Sequence, residues 1–462
     1  MQRVHFIGIG GTGISAIALY LLEKGWPVSG SDLNSSRYFT AVTSRGAVTR
    51  LGHHPDLALQ ADLVVRSSAV KDDDPEVQAA RTAGIPVVKR ADFLPVLTAG
   101  QRVLAVAGSH GKTTTTGMVI TLLTALGQDP SYILGAEVKN LGCNAHAGRD
   151  DLLVIEADEY DYMFLGLTPE VSVITNIEHD HPDFFPTPED YLSAFIRYSD
   201  QTQPFGSLIV CGDDAGVQQL IARKVRPDLK LSTYGFEPGN QFQAVLPHWD
   251  GQVNHFTLNA SRGSSGTETQ GEYTVGLPGR HNILNACAAL LAVQALGLNP
   301  QAAATALSHY GGTERRFEKV FDQHGTVIIN DYAHHPTQIS ATIAAARDEF
   351  PGKTLWVIWE PHTFSRTERL QNAFVRSLAE ADQVIITRIY AAREASDGYS
   401  PETIAALLPG KAVYIPEFDA LADALLPRLH GQDVILVLSA GKGPQISDLL
   451  ITRLSAGQGA GR

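Results

Sequence analysis

An α/β fold of three domains on doubly wound parallel sheets is the class this sequence predicts, and three observations predict it. Short apolar strands alternate with helical stretches along the chain. Several strands end in glycine-rich or polar clusters rather than in tight hairpin turns. The 462 residues suffice for about three domains of roughly 150 residues each.

The first block, residues 1–98, opens with a strand at Val4–Ile9 and an apolar helix at Ile14–Leu22, followed by strands at Pro27–Gly30 and Ala61–Val65. Between the first strand and the helix lies Gly8-Ile9-Gly10-Gly11-Thr12-Gly13, a full G-x-G-x-x-G. Glycines there let the backbone approach a pyrophosphate, and the helix N-terminus supplies free N–H groups. Asp32 stands at the end of the next strand, where a ribose-binding acid belongs, so the residues alone predict a Rossmann-like domain with NAD as the default ligand. Another pyrophosphate, such as a UDP-sugar, and a non-binding structural turn remain open at this point.

The second block, residues 99–312, opens with a strand at Val103–Ala107 and a helix from about Thr113 to Leu126. Between them Gly108-Ser109-His110-Gly111-Lys112-Thr113-Thr114 resembles a shortened phosphate loop. Its backbone N–H groups would cradle phosphates, Lys112 would reach the outer oxygens, and Thr113 would ligate Mg2+. The strand Leu152–Ile155 runs into Glu156-Ala157-Asp158-Glu159-Tyr160-Asp161, a carboxylate cluster costly without a cation. Glu156 is the predicted ligand, while Glu159 and Asp161 read as a solvated loop. The strand Val171–Thr175 ends in Asn176-Ile177-Glu178-His179-Asp180-His181, where His179 and His181 are candidate cation ligands. Polar and apolar residues alternate from Gln241 to Gly276, which predicts an inserted antiparallel hairpin. A helix at His281–Leu296 follows.

The third block, residues 313–462, predicts strands at Val327–Asn330, Leu355–Trp359, Gln383–Thr387, Val413–Ile415 and Val434–Leu438 alternating with helices, a second Rossmann-like unit. Two strands end in Asp331-Tyr332-Ala333-His334-His335-Pro336-Thr337 and Pro361-His362-Thr363-Phe364-Ser365-Arg366-Thr367. Arg366 suits an anionic substrate or developing phosphate charge. The small, polar tail from Ser455 to Arg462 is expected to be disordered.

Composition excludes several classes. Acidic residues outnumber basic ones 49 to 36, a formal charge of −13, so no basic field exists for nucleic acid. The longest apolar run, Ala286 to Val293, is too short to span a membrane. Three dispersed cysteines, Cys143, Cys211 and Cys287, form no CxxC pair, and Met1–Phe6 runs straight into a strand-like segment, so no export and a reducing cytoplasm are expected.

Together the segments resemble the Mur ligase family over essentially the whole chain. The resemblance rests on His5-Phe6-Ile7-Gly8-Ile9-Gly10-Gly11, on Gly108 through Thr116, on Gly279-Arg280-His281-Asn282-Ile283-Leu284-Asn285-Ala286, and on the Asp331–Thr337 and Pro361–Thr367 segments. It implies an N-terminal UDP-sugar domain, a central ATPase domain with a parallel sheet and antiparallel hairpins, and a C-terminal domain receiving the amino acid. It therefore reassigns Gly10, Gly11, Thr12, Gly13 and Asp32 from NAD to UDP-N-acetylmuramate, joined by Ser67, Ser68 and Ala69. ATP is expected on Gly108 to Thr114, with His281, Asn282 and Asn285 at adenine, Arg316 at phosphate and Asp331 at ribose. Thr113, Glu156 and His181 are the expected Mg2+ ligands. Lys112, His334, His335 and Arg366 are the expected catalytic residues, with L-alanine as the amino acid and a monomer or weak homodimer as the assembly.

Three features bear on the branch. Thr363 stands where some members carry arginine. No lysine occurs in Tyr191–Arg197, so the carbamylated-lysine bridge of related ligases is absent, as in the alanine-adding branch. Tyr160 replaces the serine of Glu-Ser-Asp and also occurs in the branch that recycles a murein tripeptide, the alternative substrate. The expected reaction is carboxylate activation as an acyl phosphate, then amine attack, with His334 or His335 poised near neutral pH to accept the ammonium proton. A nicotinamide oxidoreductase would leave Lys112 and Glu156 without a role, and a nucleotide-sensing module would be expected to lack one of them.

Overall fold

A computed structural model describes residues 2–457 other than 224, 264, 265, 393 and 397. Among the described residues the strands form three sheets, each covered by helices.

The N-terminal sheet is wholly parallel, in the order Val48–Leu51, Val28–Asp32, Val4–Ile7, Leu63–Arg66, Val87–Lys89. Val4 to Ile7 are all buried, and the one polar side chain among them, His5, is matched by Glu76 at 2.7 Å. The outer strands were not evident in the sequence: Val48–Leu51 mixes polar and apolar residues and is largely exposed, and Val87–Lys89 has only three residues. The apolar helix Thr12–Glu23 covers the sheet.

The central sheet has a parallel core in the order Lys230–Gly235, Ser207–Cys211, Val171–Ile174, Arg102–Ala107, Leu152–Glu156, Ser131–Val138. At one edge the expected hairpin is an antiparallel meander of three strands, Phe242–Trp249, Asn254–Ser261 and Thr267–Val275. At the other, Ser131–Val138 pairs antiparallel with Cys143–His146. The helices Lys112–Ala125 and Arg280–Ala295 pack together and are buried nearly all round past their polar first turns, because the sheet and each other cover them.

The C-terminal sheet runs Glu318–Gln323, Thr326–Asp331, Asp433–Ser439, Thr354–Glu360, Gln383–Ile386, Ala412–Tyr414, with only the first strand antiparallel. Of the tail expected to be disordered, Ser455 to Gly457 close the helix Gly443–Gly457, and 458–462 lie outside the described residues. All three cysteines are free. Among the described residues no helix is long and apolar enough to cross a membrane.

Candidate active site

The C-terminal ends of parallel strands from all three sheets face one cavity of about 850 Å3. That end of a sheet, where strand order reverses, is where open α/β folds bind ligands. Gly11, Thr12, Gly13 and Ser67 to Ala69 line it from the N-terminal domain. Gly10 and Asp32 are not among its lining residues. Asp32 accepts the N–H groups of Gly10 at 2.9 Å and Asn34 at 3.0 Å, so this acid braces the glycine turn. Gly13 leaves room for Arg90, whose Nη1 would lie 2.3 Å from a Cβ there and would have to move aside. Arg90 in turn pairs with Asp158 of the central domain at 3.0 Å.

The loop between Arg102–Ala107 and the helix Lys112–Ala125 is a rigid cradle. Gly108 and Gly111 have φ of +135° and +82°, and Cβ atoms would come within 2.0 Å of Thr175 Oγ1 and 2.5 Å of Asn285 Oδ1 respectively. Asn176 Oδ1 accepts the N–H of His110 at 2.9 Å, and Thr175 Oγ1 donates to the His110 carbonyl at 2.6 Å. The loop thus ends on a helix N-terminus with its backbone already fixed, a geometry suited to phosphate.

Lys112 Nζ lies 2.8 Å from Glu159 Oε2. Burial opposes the ammonium charge, yet Glu159, Asp158 and Glu156 hold its pKa above the ordinary lysine value. Glu159 is fully buried, not the solvated loop residue expected. Burial opposes its charge too, but Lys112 and His181 hold its pKa at about 2. Tyr191 Oη donates to Glu159 at 3.1 Å. Asp161 is likewise engaged, with Lys89 at 2.8 Å.

Thr113 Oγ1 donates to Glu156 Oε1 at 3.0 Å, and Gly135 N–H to Oε2 at 2.9 Å. Burial raises the Glu156 pKa, marking a carboxylate short of positive charge. His181 Nδ1 is buried without a hydrogen-bond partner. A hydroxyl, a carboxylate and an unsatisfied imidazole at the mouth of a phosphate cradle fit a divalent cation. His179 does not join them: its Nε2 is 2.8 Å from the Phe185 carbonyl oxygen, and its ring packs edge-on to Tyr191.

His281, Asn282, Asn285, Arg316 and Asp331 meet in a second cavity of about 200 Å3 beside the first. Arg316 also lines the first. Asn285 accepts from Thr115 Oγ1 at 3.2 Å and donates to Asn282 at 3.1 Å, tying the long helix to the phosphate-loop helix. Asp331 is buried, accepts N–H groups from Phe317 and Ala333, both at 2.7 Å, and has a pKa raised by burial.

The C-terminal domain brings His334 and Arg366 to the first cavity. His335 is buried against His110, ring centroids 4.9 Å apart. The expectation that these histidines are poised near neutral pH is corrected. Burial, with Arg366 nearby, pushes His334 down to about 3; burial, with His110 nearby, pushes His335 down to about 4. Both rings are neutral at physiological pH. The His334 Nδ1 lies 2.8 Å from the Tyr332 carbonyl, which can only accept, so Nδ1 carries the proton and Nε2 has a free lone pair.

Sequence reading passed over Asp180 as a site residue. It is buried and takes two hydrogen bonds from Arg366. His334 Nε2 is 3.8 Å and His181 Nε2 3.9 Å from its Oδ2. Burial opposes its charge, but Arg366 first, then His181 and His334, hold its pKa well below the usual carboxylate range. The available signal was its place at a strand end beside His181.

Three family models match the chain: the Mur ligase family catalytic domain at residues 3–102, the Mur ligase middle domain at 106–293, and the Mur ligase glutamate ligase domain at 315–441. The chain is 39% identical to the UDP-N-acetylmuramate–L-alanine ligase of Roseiflexus castenholzii, covering 98% of both chains. It is 41% identical to the protein of that name from Roseiflexus sp. strain RS-1, over 98% of this chain and 99% of that one. The crystal structure of UDP-N-acetylmuramate-alanine ligase from Thermotoga maritima superposes with a TM-score of 0.83 at 26% identity, over 99% of this chain and all of that one.

Proposed function

The chain belongs to the Mur ligase family, and on that premise we propose that it joins L-alanine to the lactyl carboxylate of UDP-N-acetylmuramate at the expense of ATP. The observation that carries this reading is the convergence in one cavity of the Lys112 phosphate cradle, the Thr113, Glu156 and His181 donors, and His334 with Arg366 from another domain. The reading leaves the nicotinamide alternative without a role, since Gly11 to Gly13 of the glycine turn face a cavity shared with a phosphate loop.

UDP-N-acetylmuramate would lie along Gly11 to Gly13 and Ser67 to Ala69, pointing its carboxylate toward Lys112. ATP would set its phosphates on the Gly108–Thr113 loop and its nucleoside in the second cavity. Mg2+ held by Thr113, Glu156 and His181 would neutralise phosphate charge as the two anions meet. Lys112, already held protonated by neighbouring carboxylates, supplies positive charge at the transferring phosphoryl group. The product is an acyl phosphate, whose carbon the alanine amine attacks with loss of phosphate.

His334 is the better placed proton acceptor. It lines the cavity with Nε2 unprotonated and Asp180 at 3.8 Å to offset imidazolium charge, but its low pKa makes it a weak base, suited to the acidic N–H of the tetrahedral adduct and not to free ammonium. Arg366, fixed by Asp180 and by His362 Nδ1 at 2.8 Å, can face a carboxylate or the leaving phosphate. Three domains surround the cavity, and their closure on the substrates would keep water from the acyl phosphate.

Phosphate release from ATP with UDP-N-acetylmuramate tests the reading. L-alanine should support turnover, and the murein tripeptide should not. Turnover with the tripeptide alone would transfer the chain to the recycling branch, and no release with either would remove the ligase assignment.

A further inference from the structure

We propose that His110, Glu178 and His335 form a second cation site, selective for Zn2+-class metals, that bridges the central and C-terminal domains. It is independent of the ligase reading and separate from the Thr113, Glu156 and His181 donors.

The three residues come from different elements. His110 belongs to the phosphate loop, Glu178 follows the strand Val171–Ile174, and His335 directly precedes the C-terminal domain helix Pro336–Glu349. One ligand atom from each lies within 4.8 Å of the others. Glu178 Oε2 is 3.0 Å from His110 Nε2 and 3.5 Å from His335 Nδ1. Tetrahedral coordination at about 2.0–2.2 Å separates donors by roughly 3.3–3.6 Å, so closing this triangle on one ion needs only small side-chain shifts.

A second observation points to a ligand. His335 is 3% exposed, and its Nδ1 makes no full hydrogen bond: it faces Glu178 Oε2 at 3.5 Å, and the Gln338 N–H of the helix that it caps approaches the ring. A buried ring nitrogen left unsatisfied is uncommon, and a metal ion would satisfy it. Glu178 is already positioned: Thr337 Oγ1 donates to its other oxygen at 2.6 Å, the outer contact that fixes a ligating carboxylate.

The donor set decides the metal. Two imidazoles and one carboxylate suit Zn2+, Co2+ or Ni2+, whereas Mg2+ prefers oxygen ligands and retained water. An ion here pins the C-terminal domain to the phosphate loop along the wall of the second cavity. It would therefore resist movement of the C-terminal domain away from the phosphate loop.

The test is cobalt binding to the full chain with Mg2+ present in excess. Crystals soaked in CoCl2 should show an anomalous peak touching His110, Glu178 and His335. In solution, Co2+ should give the visible absorption of a four-coordinate site, displaced by Zn2+ and not by Mg2+. His335→Gln and Glu178→Gln should each weaken Co2+ binding at least about tenfold, whereas Glu156→Gln should leave it unchanged. No anomalous peak at these residues, or a peak only at Thr113, Glu156 and His181, overturns the site. Absorption unaltered in His335→Gln does the same. The crystal result requires no variant, so a misfolded variant leaves the outcome decided.

Discussion

Asp180 of the central domain and Arg366 of the C-terminal domain form a buried ion pair across the domain boundary, with Nε at 2.9 Å and Nη2 at 2.6 Å from the same carboxylate oxygen. Their side chains are 3% and 2% exposed. Asp180 precedes His181, a proposed cation ligand, and lies beside His334. One carboxylate thereby contacts groups from both the central and the C-terminal domains.

Removing one partner strands the other charge. Arg366→Ala should cost about 3–5 kcal/mol of stability in domain docking, read as a lowered denaturation midpoint. The double variant Asp180→Asn with Arg366→Ala should recover part of that loss. Additive losses in the double-mutant cycle would mean that the two groups do not couple.

Lys112→Ala should lower ADP release at least about a hundredfold while UDP-N-acetylmuramate affinity stays within about twofold. Calorimetric titration of the sugar nucleotide measures the second quantity. Turnover retained in this variant would move the phosphate cradle elsewhere.

Glu156→Gln removes a carboxylate that burial already leaves short of positive charge. The Mg2+ concentration giving half-maximal rate should rise at least about tenfold, with little change in fold. An unchanged Mg2+ dependence would exclude Glu156 from the cation site.

His334 is neutral at rest with a pKa of about 3, so it does not set an acidic limb near neutrality. His334→Asn should lower kcat at every pH from about 5.5 to 8.5 without moving that limb. A limb that shifts in this variant would show that His334 titrates there.

Acid should destabilise the protein in two stages. His334 and His335 have folded pKa values depressed to about 3 and about 4 from an ordinary 6.5. The unfolded chain therefore binds protons that the folded one refuses, and stability falls as pH drops below about 6.5. Glu159 and Glu178, both held at about 2, contribute stability that is lost as pH falls from about 4.5 toward 2. Denaturant titrations from pH 7 to 3 should show both losses, and His335→Gln should flatten the first.

What the sequence by itself determined was local. The strand–glycine–helix transitions at Gly8 and Gly108 were legible because only glycine tolerates their positive φ beside a neighbouring backbone or side chain. The parallel strands were legible where burial on both faces makes a continuous apolar run, as at Leu152–Ile155. Short, exposed edge strands such as Val48–Leu51 carried no such mark. Tertiary structure alone decided which charges meet. Glu159 looked solvated until folding buried it against Lys112, and His179 and His181, two positions apart, were turned to different partners. Asp180 met Arg366 only through domain packing. The histidine titrations were hidden for the same reason: a pKa is set by desolvation and by charges brought from distant segments, and neither is written in the residues on either side.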